Sequence, residues 1–214
     1  MTITDCYLYI QDRLNALSTN YGNNVPKHIF VRAFNAAQTT WVEERCKISN
    51  TNSLRQDEID ILSTTVTLDL LKKEGYWETN LPSNYYHRIR AIGYTPCSLY
   101  LYPKKEEEVN RLLSDENWKP SLEWAESFYT ISGKKIKVYG EFNIDKIDFI
   151  YHRIPLLVNM EDGYNDEFGN LNTNIDPEFQ ESSLIEILTM TVNQLASDNG
   201  DAFRYQTSGQ KSTT

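Results

Sequence analysis

The spacing of apolar residues changes twice along this chain of 214 residues, and this change constrains the fold more than any single motif. Residues 4–18 and 27–47 place apolar side chains at steps of three and four, the period of one helix face. These positions are Tyr7, Ile10, Leu14, Leu17, Phe30, Phe34, Ala37 and Trp41. A third, shorter helix is predicted in NSLRQDEIDIL, where Ser53 and Gln56 have capping-box spacing.

From residue 64 the period shortens to two, which is typical of a half-buried strand. In TTVTLDLL, apolar Val66, Leu68 and Leu70 alternate with polar residues. Further strands are predicted in HRIRAIGYT, SLYLYP, SFYTISGKKIKVYG and DKIDFIYHRIP. A short charged helix in PKKEEEVNRLLSDE interrupts them and is interpreted as a surface excursion. Five or six strands suffice for a small sandwich or barrel.

The helical period returns near the C-terminus, where Asp176–Pro177 has the pattern of a cap followed by proline at the first helical position. The order predicts an α+β fold, in which N- and C-terminal helices form a bundle with an inserted small antiparallel β domain, sandwich- or barrel-like. The predicted divisions are the N-terminal helices 1–63, the β domain 64–158 with a helical insertion around 104–115, the acidic loop 159–176, the C-terminal helix and extension 177–205, and the flexible tail 206–214.

Charge and cysteine content limit the function classes. The formal net charge of -9 argues against a general nucleic-acid binder, which needs a basic excess to neutralise phosphates. It leaves open a surface past which DNA slides without being held. The odd count of three cysteines has no CxxC spacing, so we expect reduced, buried cysteines and neither a disulfide framework nor a zinc site. No apolar run approaches the ~20 residues of a membrane span.

No common signature of a phosphate, dinucleotide, zinc or nucleophile-elbow site occurs, and we expect no enzymatic activity and no cofactor. The acidic loop offers five oxygen ligands but lacks the spacing of a helix–loop–helix calcium site. These ligands are Asp162, Asn165, Asp166, Glu167 and Asn170. A solvated turn is the favoured interpretation, an inter-subunit contact is the alternative, and cation binding stays open.

Two other clusters could carry chemistry. The aromatic-basic segment GYWETNLPSNYYHRIRAIGY, with Trp77 and Tyr86, could stack a sugar or a base. The favoured interpretation is that the residues of such clusters lie in the core or at an interface. Carboxylate pairs such as Glu123 and Glu126 could serve a small hydrolase, but no spacing selects one pair over another.

The stretch ISGKKIKVYGEFNIDKIDFIYHRIP, residues 131–155, is predicted to be a β-hairpin ending in His152–Arg153. Alternation places Tyr151 on one face and His152 on the other, and neither face is wholly polar. This strand is therefore predicted to be central or pressed against a neighbouring surface. Because no nucleophile accompanies the His–Arg pair, a structural or interface role is favoured over catalysis.

The order of several segments resembles the head–tail connector proteins of crAss-like tailed bacteriophages, in particular the ring or adaptor proteins stacked beneath the portal. The segments are HIFVRAFNAAQTTWVEER, TNLPSNYYHRIRAIGY, WKPSLEWAESFYTISGKKIKVYGEFNIDKIDFIYHRIP and IDPEFQESSLIEILTMTVNQLASDNGDAFRYQ. They span residues 27 to 205. The charged insertion from Lys104 to Asp115 departs from that pattern.

The resemblance implies a structural virion protein at the head–tail neck, made in the host cytoplasm. Its partners would be copies of itself in a ring, expected to be twelve-fold, the portal protein, further ring or tail proteins, and DNA passing through the channel without sequence-specific binding. The family brings no catalytic residues. The alternative is a tail-associated receptor- or glycan-binding module that uses the aromatics around Trp77 and Tyr86. The residues assigned to an interface are Tyr85, Tyr86, Arg88, Tyr151, Arg153, Phe203 and Tyr205.

An Arg153→Ala substitution is expected to weaken ring assembly and to leave the protomer folded, because the end of this strand is assigned to a contact with the next subunit. Native mass spectrometry would measure the assembly and circular dichroism the fold. Normal assembly of the variant would remove Arg153 from the interface.

Overall fold

The structure is a computed structural model that describes residues 1–17, 24–49, 57–95, 97–161 and 173–198. The chain divides into two compact units. The helical unit comprises Met1–Ile61 and Pro155–Thr214, and the sheet unit comprises Leu62–Ile154. Each unit is described by itself below.

The described residues form four α-helices, of which the third lies in the sheet unit. They are α1 (Ile3–Leu17), α2 (Lys27–Ser49), α3 (Val109–Ser114) and α4 (Glu181–Asp198). In the helical unit, α4 packs against α2 and α1. The apolar stripes face inward, as their period predicts: Phe30, Phe34, Leu184 and Leu188 are all buried. The capping box predicted at Ser53 lies outside the described residues, and Asp60–Leu62 is a single 3₁₀ turn.

The predicted start of the last helix at Asp176 is wrong, since α4 begins at Glu181. Asp176 accepts a hydrogen bond at Oδ1 from the backbone N–H of Ile3 (2.7 Å), so its carboxylate satisfies a free donor at the start of α1. Phe179, just before α4, packs edge-on against Trp41 with ring centroids 5.2 Å apart. The Asp–Pro pattern therefore marks a capping residue, but of a helix far away in the sequence.

A buried arginine joins three parts of the helical unit. Arg45 on α2 forms ion pairs with Glu58 (Nε to Oε2, 2.7 Å) and with Glu186 on α4. The Trp41 indole donates to the same Glu186 carboxylate (2.8 Å), and the Arg45 guanidinium lies 5.2 Å from the Trp41 ring centroid. A buried guanidinium has to be paired in this way, because an unpaired charge in the interior is costly.

Residues 155–161, which contain no helix and no named strand, are bound along α2 by side-chain hydrogen bonds, and we call this segment the strap. The Asn35 side chain donates to the Val158 carbonyl (3.0 Å) and accepts from the Val158 N–H (2.9 Å), as a neighbouring strand would. Gln38 donates to the Leu156 carbonyl (2.9 Å), and Lys27 donates to the Glu161 carbonyl (2.7 Å). Polar side chains of a helix therefore satisfy the backbone of the strap, whose Val158 is buried.

The sheet unit contains one sheet of eight strands. The strands are β1 (Ser63–Asp69), β2 (Leu71–Lys72), β3 (Trp77–Asn80), β4 (Tyr85–Tyr94), β5 (Ser98–Pro103), β6 (Glu126–Ser132), β7 (Lys135–Tyr139) and β8 (Lys146–Arg153). Their order across the sheet is β1-β8-β4-β5-β6-β7-β3-β2. Residues Leu99, Ile136, Ile147 and Phe149 are fully buried in its main core cluster.

The predicted fold class is wrong beyond its general α+β assignment. Most of the structure is this curled mixed sheet, a half-barrel accompanied by four helices, instead of a helical bundle with a small antiparallel domain. The sheet is mixed because β5 and β6 pair in parallel. A parallel pair needs a connection that returns the chain to the same end, usually of a dozen residues or more. Residues 104–125 are this crossover connection. Its first part, around 104–115, is the charged helix that the sequence analysis interprets as a surface excursion.

The predicted hairpin is only partly correct. β6 and β7 form a hairpin whose turn, Gly133–Lys134, has positive φ at both residues (56° and 67°), as a type I′ turn requires. β8, however, is not adjacent to this hairpin: it lies near the opposite edge of the sheet, between β1 and β4. The prediction that this strand is an interior one is confirmed. One of its faces carries the buried Ile147, Phe149 and Tyr151, and the other face is partly covered.

An Asn35→Ala substitution is expected to lower the free energy of unfolding by about 1–3 kcal/mol, because it leaves the N–H and carbonyl of Val158 without partners. Urea denaturation would measure the change. Thr39→Ala is the matched control, since Thr39 is exposed on the same helix and bonds only to the Asn35 carbonyl within it. Equal losses for the two variants would show that Asn35 does not secure the strap.

Candidate functional site

The structure brings five of the predicted interface residues together where β4 begins and β8 ends. Tyr85 pairs with Arg153 in the ladder, and Arg88 pairs with Tyr151. Register shifts on either side of His87 and Arg88 interrupt this ladder, and such bulges re-aim side chains. Arg88 is exposed, whereas Tyr85, Tyr86 and Arg153 are half-buried.

Tyr151 serves the core of the sheet unit. It is 2% exposed, and its ring packs against Phe149 and Tyr85 with centroids 5.6 and 5.8 Å apart. Its hydroxyl donates to the Asn84 side chain (2.8 Å). Trp77 is likewise buried and packs in the same cluster, so its ring does not stand open for stacking. The predicted contact residues Phe203 and Tyr205, the five oxygen ligands of the acidic loop and the tail lie outside the described residues.

Two histidines face each other across β4 and β8. His87 pairs with His152, and their ring centroids are 6.5 Å apart. His152 is buried and His87 is half-buried. Burial lowers the pKa of His87 below its ordinary value, and the positive charge of Arg88 lowers it further. The fold therefore opposes protonation of His87.

The crossover connection builds an aromatic groove that the sequence did not predict. The groove has a volume of about 600 Å³, and four aromatic residues line it together with charged and polar ones. These aromatics are Tyr102, Trp118, Trp124 and Phe128. Trp118 and Trp124 are 60% and 75% exposed, which is unusual for the largest side chain. Two tryptophans within WKPSLEW are the signal that could have found it.

Each tryptophan of the groove is held by its own local structure. Trp118 follows a turn in which the Asp115 carboxylate accepts from the Asn117 N–H (3.0 Å), and the Lys104 ammonium lies 5.0 Å from the centroid of its ring. Trp124 lies in a tight turn closed by two backbone hydrogen bonds between Ser121 and Glu126, each 3.0 Å long.

Other site types find little support in the described residues. No group of three histidine, cysteine or acidic side chains there is arranged to hold a metal ion. Within that part of the chain, no helix is both long and apolar enough to cross a membrane. The predicted burial is confirmed for Cys6 and Cys46 and is wrong for Cys97, which is exposed. Burial raises the pKa of the Cys6 and Cys46 thiols to about 11, so both stay protonated at neutral pH.

No protein-family model and no curated protein matches the chain.

The free energy of unfolding is expected to fall as the pH is lowered through 6.5. The unfolded chain then binds a proton at His87 more readily than the folded one, because the folded pKa is depressed. A His87→Asn variant is expected to lose less stability than the unmodified chain between pH 7.5 and pH 5.5, measured by urea denaturation. His28→Asn, at an exposed histidine on α2, is the control. An unchanged pH dependence in His87→Asn would contradict the assignment.

Proposed function

We propose that the chain is a ring-forming structural protein of a tailed-phage virion, an adaptor that docks beneath the portal and forms part of the DNA conduit. The order of its sequence segments supports this proposal. The structural observation that carries it is the strap, which presents Leu156 and Leu157 to solvent. Each of these adjacent leucines is 57% exposed.

The strap has the properties of a preformed contact surface. Leu156 and Leu157 form an exposed apolar pair between Pro155 and Val158, which are both buried. The strap is nevertheless fixed, because α2 holds its backbone at several positions and the Glu178 carboxylate accepts from the Leu156 N–H (2.9 Å). Little conformational entropy would be lost on binding, which favours a specific contact.

The terminal helices extend the apolar surface of the helical unit. Leu8 on α1 and Ile185 on α4 are also exposed. A closed ring needs a heterologous contact, in which one surface of a protomer meets a different surface of the next. The exposed leucines of the strap provide one of the two surfaces for such a contact.

The charge of the chain fits passage of DNA better than binding of DNA. With a net charge of -9, the chain as a whole repels the phosphate backbone and would not hold it by counterion release. A conduit has to let the genome slide, so weak affinity for phosphates is an advantage there.

Replacing both Leu156 and Leu157 by serine is expected to abolish ring formation and to leave the protomer folded, because these side chains are mostly solvent-exposed. Native mass spectrometry and negative-stain imaging, with and without the portal protein, would measure the assembly. Leu71→Ser is the matched control, since Leu71 is a similarly exposed leucine in the sheet unit. If the unmodified chain stays monomeric alone and with the portal protein, the proposal is wrong.

A further inference from the structure

From the groove of the sheet unit we infer a second activity, beyond the proposed ring function: binding of a neutral oligosaccharide against Trp118 and Trp124. The volume of about 600 Å³ falls within the range of about 300–1,000 Å³ that is usual for ligand sites. A pyranose ring has an apolar C–H face that packs on an aromatic ring and a rim of hydroxyls that need hydrogen-bond partners. The groove offers both kinds of group.

The backbone turn that carries Trp124 is held in place before any ligand arrives. Ala125, next to Trp124, has a φ of 52°, a left-handed conformation that costs a residue with a side chain about 1–2 kcal/mol. Its carbonyl accepts from the Tyr100 N–H (2.8 Å), which ties the turn to β5. Strained backbone of this kind concentrates at binding sites, where the surrounding structure enforces it.

The polar groups of the groove favour a sugar over a protein partner. Four of its thirteen lining residues are charged. Charged residues are depleted in the cores of protein interfaces, which are dominated by apolar and aromatic contacts. Hydroxyl groups of a sugar, in contrast, can donate to carboxylates and accept from ammonium or amide groups. All three kinds of group line the groove.

The distribution of charge favours a neutral sugar over an acidic one. Both lysines of the lining are engaged: Lys104 lies against the Trp118 ring, and Lys119 forms an ion pair with Glu141 (2.9 Å). Glu116 forms no hydrogen bond or ion pair with any described residue. Glu126 accepts from the Tyr102 hydroxyl at Oε1 (3.1 Å), which leaves its other oxygen available. With two lysines, both already engaged, and two glutamates, the lining carries no net formal charge, so nothing in the groove selects for a sialylated, sulfated or phosphorylated ligand or for a nucleic acid.

The test begins with the full-length chain on an array of neutral, sialylated and sulfated oligosaccharides and proline-rich peptides. The chain is then titrated with cellohexaose, laminarihexaose, maltohexaose and chitohexaose. Tryptophan fluorescence and calorimetry measure the binding in each titration. We expect at least one neutral oligosaccharide to bind and to shift the tryptophan emission. Trp124→Ala is expected to weaken that binding by about tenfold or more, as for other aromatic hot spots, and Trp124→Tyr to restore part of it.

The matched control is Leu71→Ala, which removes an exposed apolar side chain elsewhere in the sheet unit and is expected to leave binding unchanged. Glu116→Gln keeps the shape of the groove and is expected to weaken the neutral ligand severalfold, which provides a readout even if a tryptophan variant unfolds. Three results would overturn the inference: no binding of any neutral oligosaccharide at millimolar concentration, preference for acidic glycans or for proline-rich peptides, or binding that is insensitive to both Trp124→Ala and Glu116→Gln.

Discussion

The pairing of β1 with β8 is the constraint on which the rest of the structure depends. Ser63 at the start of the sheet unit pairs with His152 near its end, and the ladder continues from there to Asp69 and Lys146. The first and last strands of the unit are therefore neighbours, so the chain leaves the sheet close to where it arrived. The pairing therefore allows the chain segments that precede and follow the sheet unit in the sequence to form one helical unit. In that unit α4 packs on α2.

The helical unit and the crossover connection illustrate the same principle, that polar side chains fix backbone that lies outside regular elements. Asn35 and Gln38 interrupt the apolar pattern of α2, and both bind the strap. In the sheet unit, the Glu106 carboxylate accepts from Thr130 (2.6 Å) and Lys137 (2.5 Å), so it secures the crossover against β6 and β7. Satisfied polar contacts of this kind specify one arrangement where apolar packing alone would permit several.

Of the surfaces proposed for function, one could be predicted from the sequence and the others could not. The interface assignment at Arg88 and Arg153 came from an aromatic-basic strand end, and the structure brings these residues close in the β4–β8 ladder. The exposure of Leu156, Leu157, Trp118 and Trp124 could not be inferred, because apolar residues in a sequence are expected to be buried. Their exposure depends on what the remaining chain covers, and only the folded molecule defines that.

The sequence by itself determined where most of the helices and strands lie, because apolar periods of 3.6 and 2 report directly which residues share a face. Helices α1 and α2 and strands β1, β4 and β8 follow those periods closely. Only the tertiary structure decided the partners: the parallel pairing of β5 with β6, the place of β8 between β1 and β4, and the capping of α1 by Asp176. These pairings and this cap depend on contacts between residues far apart in the chain, and the local spacing of apolar residues does not indicate such contacts.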